Sequence, residues 1–347
     1  MRKTVIGIMD SNIGGVNRFI TDYIGKQGTK QSFVILFSSD ISFIYKKELS
    51  DSCIFERICS ITHPIKLYKL SRQIFITYNI DELYLNVSTN LFFPILKAAY
   101  DSGVTVRILH SHSSYSSEEN FLKRICIVFI NKILQKYVNQ ITTVKKACSD
   151  KAARWLFGNV DDYEFVYNTV NKSKFLFSAD LRHKIRNSLA LNELFVIGVV
   201  GGFNYAKNTE YFIYIAQRLL KKNIKFKILI VGDGPSRQQF ETELAKKNIE
   251  SKFLLLGNIS NTYDYYNAFD CFVMPSRFEG LPIAGIEAQI NGLRCFFSNV
   301  ITSSVKITEE CKFFDLKSSE LVEYLSTLDI DENHQRNLLP EYYKFTH

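Results

Sequence analysis

The sequence predicts an α/β protein built on parallel sheets, and three observations carry that expectation. Short apolar runs alternate along the 347 residues with segments of helical periodicity. Turn formers mark the junctions, at Gly14-Gly15, Gly201-Gly202, Gly232 to Pro235 and Pro275 to Pro282. The stretch Cys271 to Ser298, CFVMPSRFEGLPIAGIEAQINGLRCFFS, holds the whole pattern in one piece. It reads as a buried strand (Cys271 to Met274), a loop, a helix closed by Asn291-Gly292 and a second strand (Cys295 to Phe297). A chain of this length favours two domains.

Taken in order, Val5 to Met9 reads as the first strand, too short an apolar run for a signal peptide. Gly14 and Gly15 follow it and let a ligand approach backbone and helix terminus closely. The spacing is not G-x-G-x-x-G, so a dinucleotide fingerprint is missing. Phe33 to Phe37 is a strand, Lys66 to Arg72 a basic amphipathic helix, and Leu83 to Val87 and Val104 to Leu109 are strands. The last delivers His110-Ser111-His112-Ser113 to its carboxyl end, where open α/β sheets bind ligands. Phe121 to Val138 is helical, apolar and basic; it suits a membrane face or a core-packing helix with snorkelling lysines. Ile141 to Val144 is a strand, and the polar stretch 171–192 is the expected linker and start of a second domain.

That domain opens with a strand at Phe195 to Val200. Lys207 stands at the start of the next helix, where it opposes the dipole and calls for an anionic partner. Lys227 to Val231 is a strand that exits into Gly232-Asp233-Gly234-Pro235. Phe253 to Leu256 exits into Gly257-Asn258-Ile259, and Asn261 to Phe269 is a short helix. Around Gly280 and Pro282 a tight turn leads into a helix whose free N–H groups form an anion site, phosphate being the usual anion. Glu287, further along that helix, can offer a carboxylate to paired hydroxyls such as those of a ribose, and Glu279 can meet a sugar hydroxyl. Toward the end, Lys312 to Leu316 is a strand and Ser318 to Leu328 and Glu332 to Phe345 are helices.

Composition narrows the class. No run reaches the eighteen or more apolar residues of a membrane span. The seven cysteines lack CxxC spacing and read as reduced core thiols of a cytosolic protein. Residues 1–186 hold 26 Lys/Arg against 16 Asp/Glu, net +10, and the remainder is net −2, so the first half carries the overall +8. That bias suits an anionic surface such as a membrane, or a solvated basic face. No Asp-x-Asp stands at a strand exit, so no metal or other cofactor is expected.

The string E-G-L-P-x4-E-A-Q, preceded by F-V-M-P-S, resembles the donor-site motif of the family 4 glycosyltransferases, retaining enzymes of the GT-B group. The branch that builds bacterial capsular and exopolysaccharides is the most similar. H-S-H, A-C-S-D-K-A-A-R-W-L-F-G, Tyr167 to Asn171 with Phe175, Lys207-Asn208 and V-G-D-G-P resemble it too. The resemblance implies two Rossmann-like domains facing a cleft, 1–180 for the acceptor and 181–330 for the donor, with 331–347 crossing back as a terminal helix. It implies transfer of a sugar, with retention, from a nucleotide sugar of the UDP type to a lipid-linked saccharide. His112 (preferred to His110), Glu279 and Lys207 would serve the reacting centre. Donor contacts would come from Gly14, Gly15, Lys207, Asn208, Gly232, Asp233, Asn258, Ile259, Glu279, Gly280, Leu281, Pro282 and Glu287. The protein would act in the cytoplasm, with contact at the inner face of the cell membrane through the basic first domain, and without nucleic acid. One position departs: Gly202 stands where the family has an arginine on the donor diphosphate, which removes a charge-assisted grip. Arginine restored there should be tolerated. The departure also supports an alternative, a non-catalytic subunit that binds a nucleotide sugar or a partner transferase.

Overall fold

The computed structural model describes residues 2–9, 15–27, 31–37, 49, 53–166 and 170–328. Two compact units divide the chain, Met1–Asn168 and Thr169–His347. Asp10 to Gly14, Tyr167 to Thr169 and the terminal helix expected at Glu332 to Phe345 lie outside the described residues.

The first unit holds a seven-stranded sheet of β1 (Arg2–Met9), β2 (Gln31–Phe37), β3 (Cys53–Arg57), β4 (Glu82–Val87), β5 (Val106–Ser111), β6 (Val144–Ala147) and β7 (Glu164–Phe165), in the order β3-β2-β1-β4-β5-β6-β7. Every pairing is parallel. The central strands are apolar almost throughout, as strands covered on both faces must be. Between them run α1 (Gly15–Gln27), α2 (Pro64–Tyr78), α3 (Phe93–Asp101), α4 (Phe121–Ile141) and α5 (Asp150–Phe157). Local chemistry sets their ends. Pro64 opens α2 and Asn79, in the left-handed region, closes it. Asn120 caps α4 by accepting from the Lys123 N–H at 3.1 Å, and Ser149 caps α5 by accepting from Ala152.

The second unit repeats the design. Its strands β8 (Phe195–Val200), β9 (Phe226–Val231), β10 (Phe253–Gly257), β11 (Cys271–Met274), β12 (Arg294–Ser298) and β13 (Cys311–Phe314) take the order β10-β9-β8-β11-β12-β13, again all parallel. Its helices are α6 (Lys172–Phe175), α7 (Ala179–Ser188), α8 (Tyr211–Lys221), α9 (Arg237–Lys246), α10 (Thr262–Tyr265), α11 (Ile283–Ile290) and α12 (Glu320–Ser326). In each sheet the chain winds outward from a central strand, then returns to that strand's other side. The winding reverses between β1 and β4 and between β8 and β11, the position where such sheets open a crevice.

Several elements differ from expectation. The half-exposed edge strand β3 and the helix α3 were not anticipated. The β5 strand continues to Ser111, so His110 lies within the sheet, and α4 continues to Ile141, which moves the next strand to Val144–Ala147. The α4 helix packs one side on the unit, with Asn131 and Val138 buried and Ile127, Val128 and Leu134 half-buried, and leaves its other side exposed. Cys126, on this helix, is exposed, unlike the buried Cys148, Cys271, Cys295 and Cys311.

The stretch 171–192 is no free linker. It carries α6 and α7, and α7 brings two arginines onto the buried Asp270 carboxylate. Arg186 donates to Asp270 Oδ2 at 3.0 Å and to the carbonyls of Ala268, Leu191 and Leu194. Arg182 reaches the other carboxylate oxygen, and the Val196 N–H at the start of β8 donates to Oδ2 at 2.7 Å. One carboxylate thus anchors α7, β8 and the turn before β11. A charge this deep holds only while its partners stay. Asp270→Asn should therefore lower unfolding stability by about 3–5 kcal/mol, read as a shifted urea midpoint at constant m-value; an unchanged midpoint would remove the clamp.

Candidate active site

The four adjacent strands β10, β9, β8 and β11 bring most of the sequence-predicted donor residues to one edge of the second sheet. Asn258 and Ile259 follow β10, Gly232 and Asp233 follow β9, Lys207 and Asn208 follow β8, and Glu279 to Pro282 follow β11. Backbone packs on backbone there. A Cβ on Gly232 would lie 2.2 Å from the Gly201 carbonyl oxygen, and one on Gly234 would lie 2.4 Å from that of Phe203. The Phe203 N–H donates to the Asp233 carbonyl, and the Ser236 N–H donates to the Phe203 carbonyl. Gly202 belongs to this seam: a Cβ on it would stand 2.9 Å from the Asp233 carbonyl oxygen.

Lys207 lies along Gly201, within 3.3 Å of where a Cβ on that glycine would sit, and its Nζ meets Glu279 Oε1 at 2.6 Å. Ser276 Oγ donates to the same oxygen at 2.8 Å. Residues 72 positions apart are therefore joined across the winding reversal. Asn204 holds the lysine's turn through its Oδ1, which accepts from the Lys207 N–H at 3.0 Å. Asn208, expected on the donor, is in the left-handed region and donates its amide to the Pro275 carbonyl at 2.9 Å, tying the β8 loop to the β11 loop. The Asp233 carboxylate accepts from the Gly234 N–H and from Arg237 at 3.0 Å. Arg277 stacks 4.4 Å over the Tyr205 ring and pairs with Glu210. Arg237 and Arg277 are the arginines described at these exits, and both are engaged, Arg237 with Asp233 and Glu241 and Arg277 with Glu210.

Pro282 occupies the N-cap of α11 and makes no side-chain cap, so the helix start faces the Glu279–Leu281 loop. Glu287 is buried within α11 and accepts from the Tyr266 hydroxyl at 2.8 Å. Gln289 donates to the Gly285 and Val305 carbonyls and accepts from the Ile307 and Thr308 N–H groups, which fixes the helix. Tyr266, Ser276 and Gln289 support the glutamates. Ser276 and Gln289 stood within the motif, whereas nothing in the sequence marked Tyr266.

In the first unit, Gly15 opens α1 and is exposed. His112 follows β5, and its Nε2 lies 2.8 Å from Asn86 Oδ1 on β4. His110 is fully buried beside Tyr84, whose hydroxyl is 3.3 Å from Nδ1. The histidine rings are 3.9 Å apart. Asn86 Nδ2 and His110 Nε2 are buried with no hydrogen-bond partner among the described residues. Desolvation pulls the His112 pKa down to about 3, and desolvation, then His112 and Lys146, hold His110 well below its ordinary value. Both imidazoles are neutral near pH 7, so His112 can exchange a hydrogen bond with a hydroxyl but carries no positive charge. Asn86, unmarked in the sequence, sets its orientation.

Residues 182–338 match the family model "Glycosyl transferases group 1". The match falls on the second unit. EpsF of Bacillus subtilis (strain 168), a glycosyltransferase by name, is 32% identical over 218 residues, covering 61% of this chain and 56% of its own. The Escherichia coli UDP-Gal:alpha-D-GlcNAc-diphosphoundecaprenol alpha-1,3-galactosyltransferase is 27% identical over 239 residues, covering 64% and 59%. The chain thus spans less than two thirds of the length of these relatives. Among solved structures, Anabaena Alr3699/HepE in complex with UDP and glucose superposes with a TM-score of 0.76 at 15% identity, over 94% of this chain and 89% of that one. Sucrose-phosphate synthase of Thermosynechococcus elongatus gives 0.72 at 15% identity, over 93% and 88%. The fold is GT-B.

Two outcomes test this geometry. Contrary to the sequence expectation, Gly202→Arg and Gly202→Ala should both destabilise, by about 1–3 kcal/mol, because the Asp233 carbonyl must move; unchanged melting temperatures would show that the seam yields. His112 is neutral when folded and titrates near 6.5 when unfolded, so the unfolded chain takes up the proton as pH falls. Its contribution is complete above about pH 7 and declines below 6.5, reaching a loss of about 2 kcal/mol at pH 5. Urea titrations at both pH values should show a smaller loss in His112→Asn.

Proposed function

We propose that the protein is a retaining glycosyltransferase that moves a sugar from a UDP-sugar to a lipid-linked saccharide in bacterial surface polysaccharide synthesis. The observation that carries the reading is the Lys207–Glu279 pair at the winding reversal, with Glu287 buried on the helix that follows. A cation, a helix N-terminus and two carboxylates are what a diphosphate, a ribose and a sugar require at close quarters. The comparisons add support: one relative is named for a UDP-Gal donor and a diphosphoundecaprenol-linked acceptor, and a GT-B neighbour was solved with UDP-glucose.

In this mechanism the bond to the diphosphate loosens toward an oxocarbenium-like state while the acceptor hydroxyl attacks the anomeric carbon from the leaving-group face, its proton passing to the departing phosphate oxygen. Lys207 and the N–H groups around Gly280 and Leu281 stabilise the leaving phosphate electrostatically. For this the ammonium exchanges Glu279 for phosphate, and the released carboxylate turns to the sugar hydroxyls. Glu287 holds the ribose. The donor belongs to the second unit and the acceptor to the first, where neutral His112 serves as a hydroxyl partner. No protein nucleophile and no metal takes part. Gly202 leaves the diphosphate to Lys207 and the backbone.

Thermal shift with UDP, GDP, ADP and their sugar conjugates, with and without EDTA, tests the reading. Stabilisation by UDP or a UDP-sugar, unaffected by chelation, is expected. Lys207→Ala should then cut turnover about a hundredfold or more, and Glu287→Gln should weaken donor binding by about tenfold or more. No response to any nucleotide would favour the non-catalytic subunit for which Gly202 argues.

A further inference from the structure

The inner face of α4 is mixed: Val138 is buried and Ile127, Val128 and Leu134 are half-buried, beside a polar row. Asn131, Gln135 and Asn139, one row at i, i+4 and i+8, point inward and bind the carbonyls that end α5. Asn131 donates to the Trp155 carbonyl at 2.7 Å, Gln135 to the same carbonyl at 3.0 Å and Asn139 to that of Phe157 at 2.8 Å. Asn131 Oδ1 also accepts from the Asn90 N–H at 2.7 Å. The opposite face carries Leu122, Ile125, Phe129, Ile130, Ile133 and Tyr137, each exposed, with Phe129 at 64% and Leu122 at 72%. This stripe runs about 22 Å at 1.5 Å per residue.

In water that arrangement is unfavourable, since a surface helix ordinarily buries its apolar side and solvates its amides. The amides on the inner face fix the helix's rotation and leave a second, larger apolar face outside, suited to a medium other than water. Charge selects that medium. The helix carries Lys123, Arg124, Lys132 and Lys136 with no Asp or Glu. Lys132 and Lys136 flank the stripe on one side and Lys123 on the other, and all three are exposed. The α2 helix is basic as well, with Lys66, Lys69 and Arg72, no acid, and exposed Ile65 and Ile76. No described helix is long and apolar enough to cross a membrane.

We propose that the outer face of α4 docks on the surface of an anionic lipid bilayer, the helix lying in the interface plane with Leu122, Ile125, Phe129 and Ile133 among the acyl chains. The flanking lysines meet lipid phosphates, the arrangement that holds an in-plane helix. This stands apart from the donor-site reading, and its test uses no nucleotide.

The experiment is flotation of the full chain with vesicles of phosphatidylcholine containing 30% phosphatidylglycerol, and with phosphatidylcholine alone. The chain should float with the anionic vesicles and poorly with the neutral ones. Phe129→Asp/Ile133→Asp should reduce binding more than about tenfold while the melting temperature holds or rises, since both side chains are exposed. Lys132→Gln/Lys136→Gln should lose roughly fivefold per charge on anionic vesicles only. Ile133→Trp should add an emission that shifts to the blue with anionic vesicles, beyond any change in the parent chain, which has Trp155 alone. Failure to bind anionic vesicles, or binding that survives the double aspartate variant, would overturn the proposal. So would a concentration-dependent dimer that the same variant abolishes, because a second copy would then cover the stripe.

Discussion

The reversal of winding beside β8 is the constraint on which the second unit depends. In a parallel sheet each crossover covers the strand edge it leaves, but where the chain turns back two loops emerge side by side with no helix between them. Here those loops follow β8 and β11, and they are tied by a lysine–carboxylate pair, by the Asn208 amide on the Pro275 carbonyl, and by the Arg277 N–H on the Ala206 carbonyl. The neighbouring β9 loop comes so near that glycine is needed on both sides of the seam. The crevice is held by backbone contacts as much as by side chains, so any side chain at Gly202 meets the Asp233 carbonyl before it can reach a ligand.

Much of this was legible. Alternating apolar runs and helical periods gave the fold class, because strands covered on both faces leave little doubt about burial. The Cys271 to Ser298 stretch located strand, loop, helix and strand, since proline and glycine stop elements by sterics that need no partner. What stayed hidden depended on distant residues. The edge strand β3 is half-exposed and shows neither strand signature, and Tyr266 and Asn86 are ordinary residues until the fold sets them against Glu287 and His112. The reading of 171–192 as a linker followed its polarity. Two of those polar residues are arginines whose carboxylate partner lies beyond residue 260, out of reach of any local pattern.

The same blindness applies to α4, in the opposite direction. Its apolar period and its lysines were visible, but periodicity does not say which side faces the protein. Three amides decided it, because the unpaired carbonyls at the end of α5 needed donors and the amides supply them. A polar requirement of one helix thus sets the orientation of another, and the larger apolar face is left outside.

The Asp270 cluster also marks where the second unit begins. A fragment started at residue 181 would open inside α7, without the Ser178 hydroxyl that accepts from the Leu181 N–H and without the Ser178 N–H on Asn267. It would also lose Phe175, whose carbonyl accepts from Asn291 at the end of α11. The helix that carries Glu287 would then be loosened by a cut more than a hundred residues upstream. Autonomy in this half of the molecule is a matter of counter-ions and caps, and a boundary chosen on polarity alone would sever them.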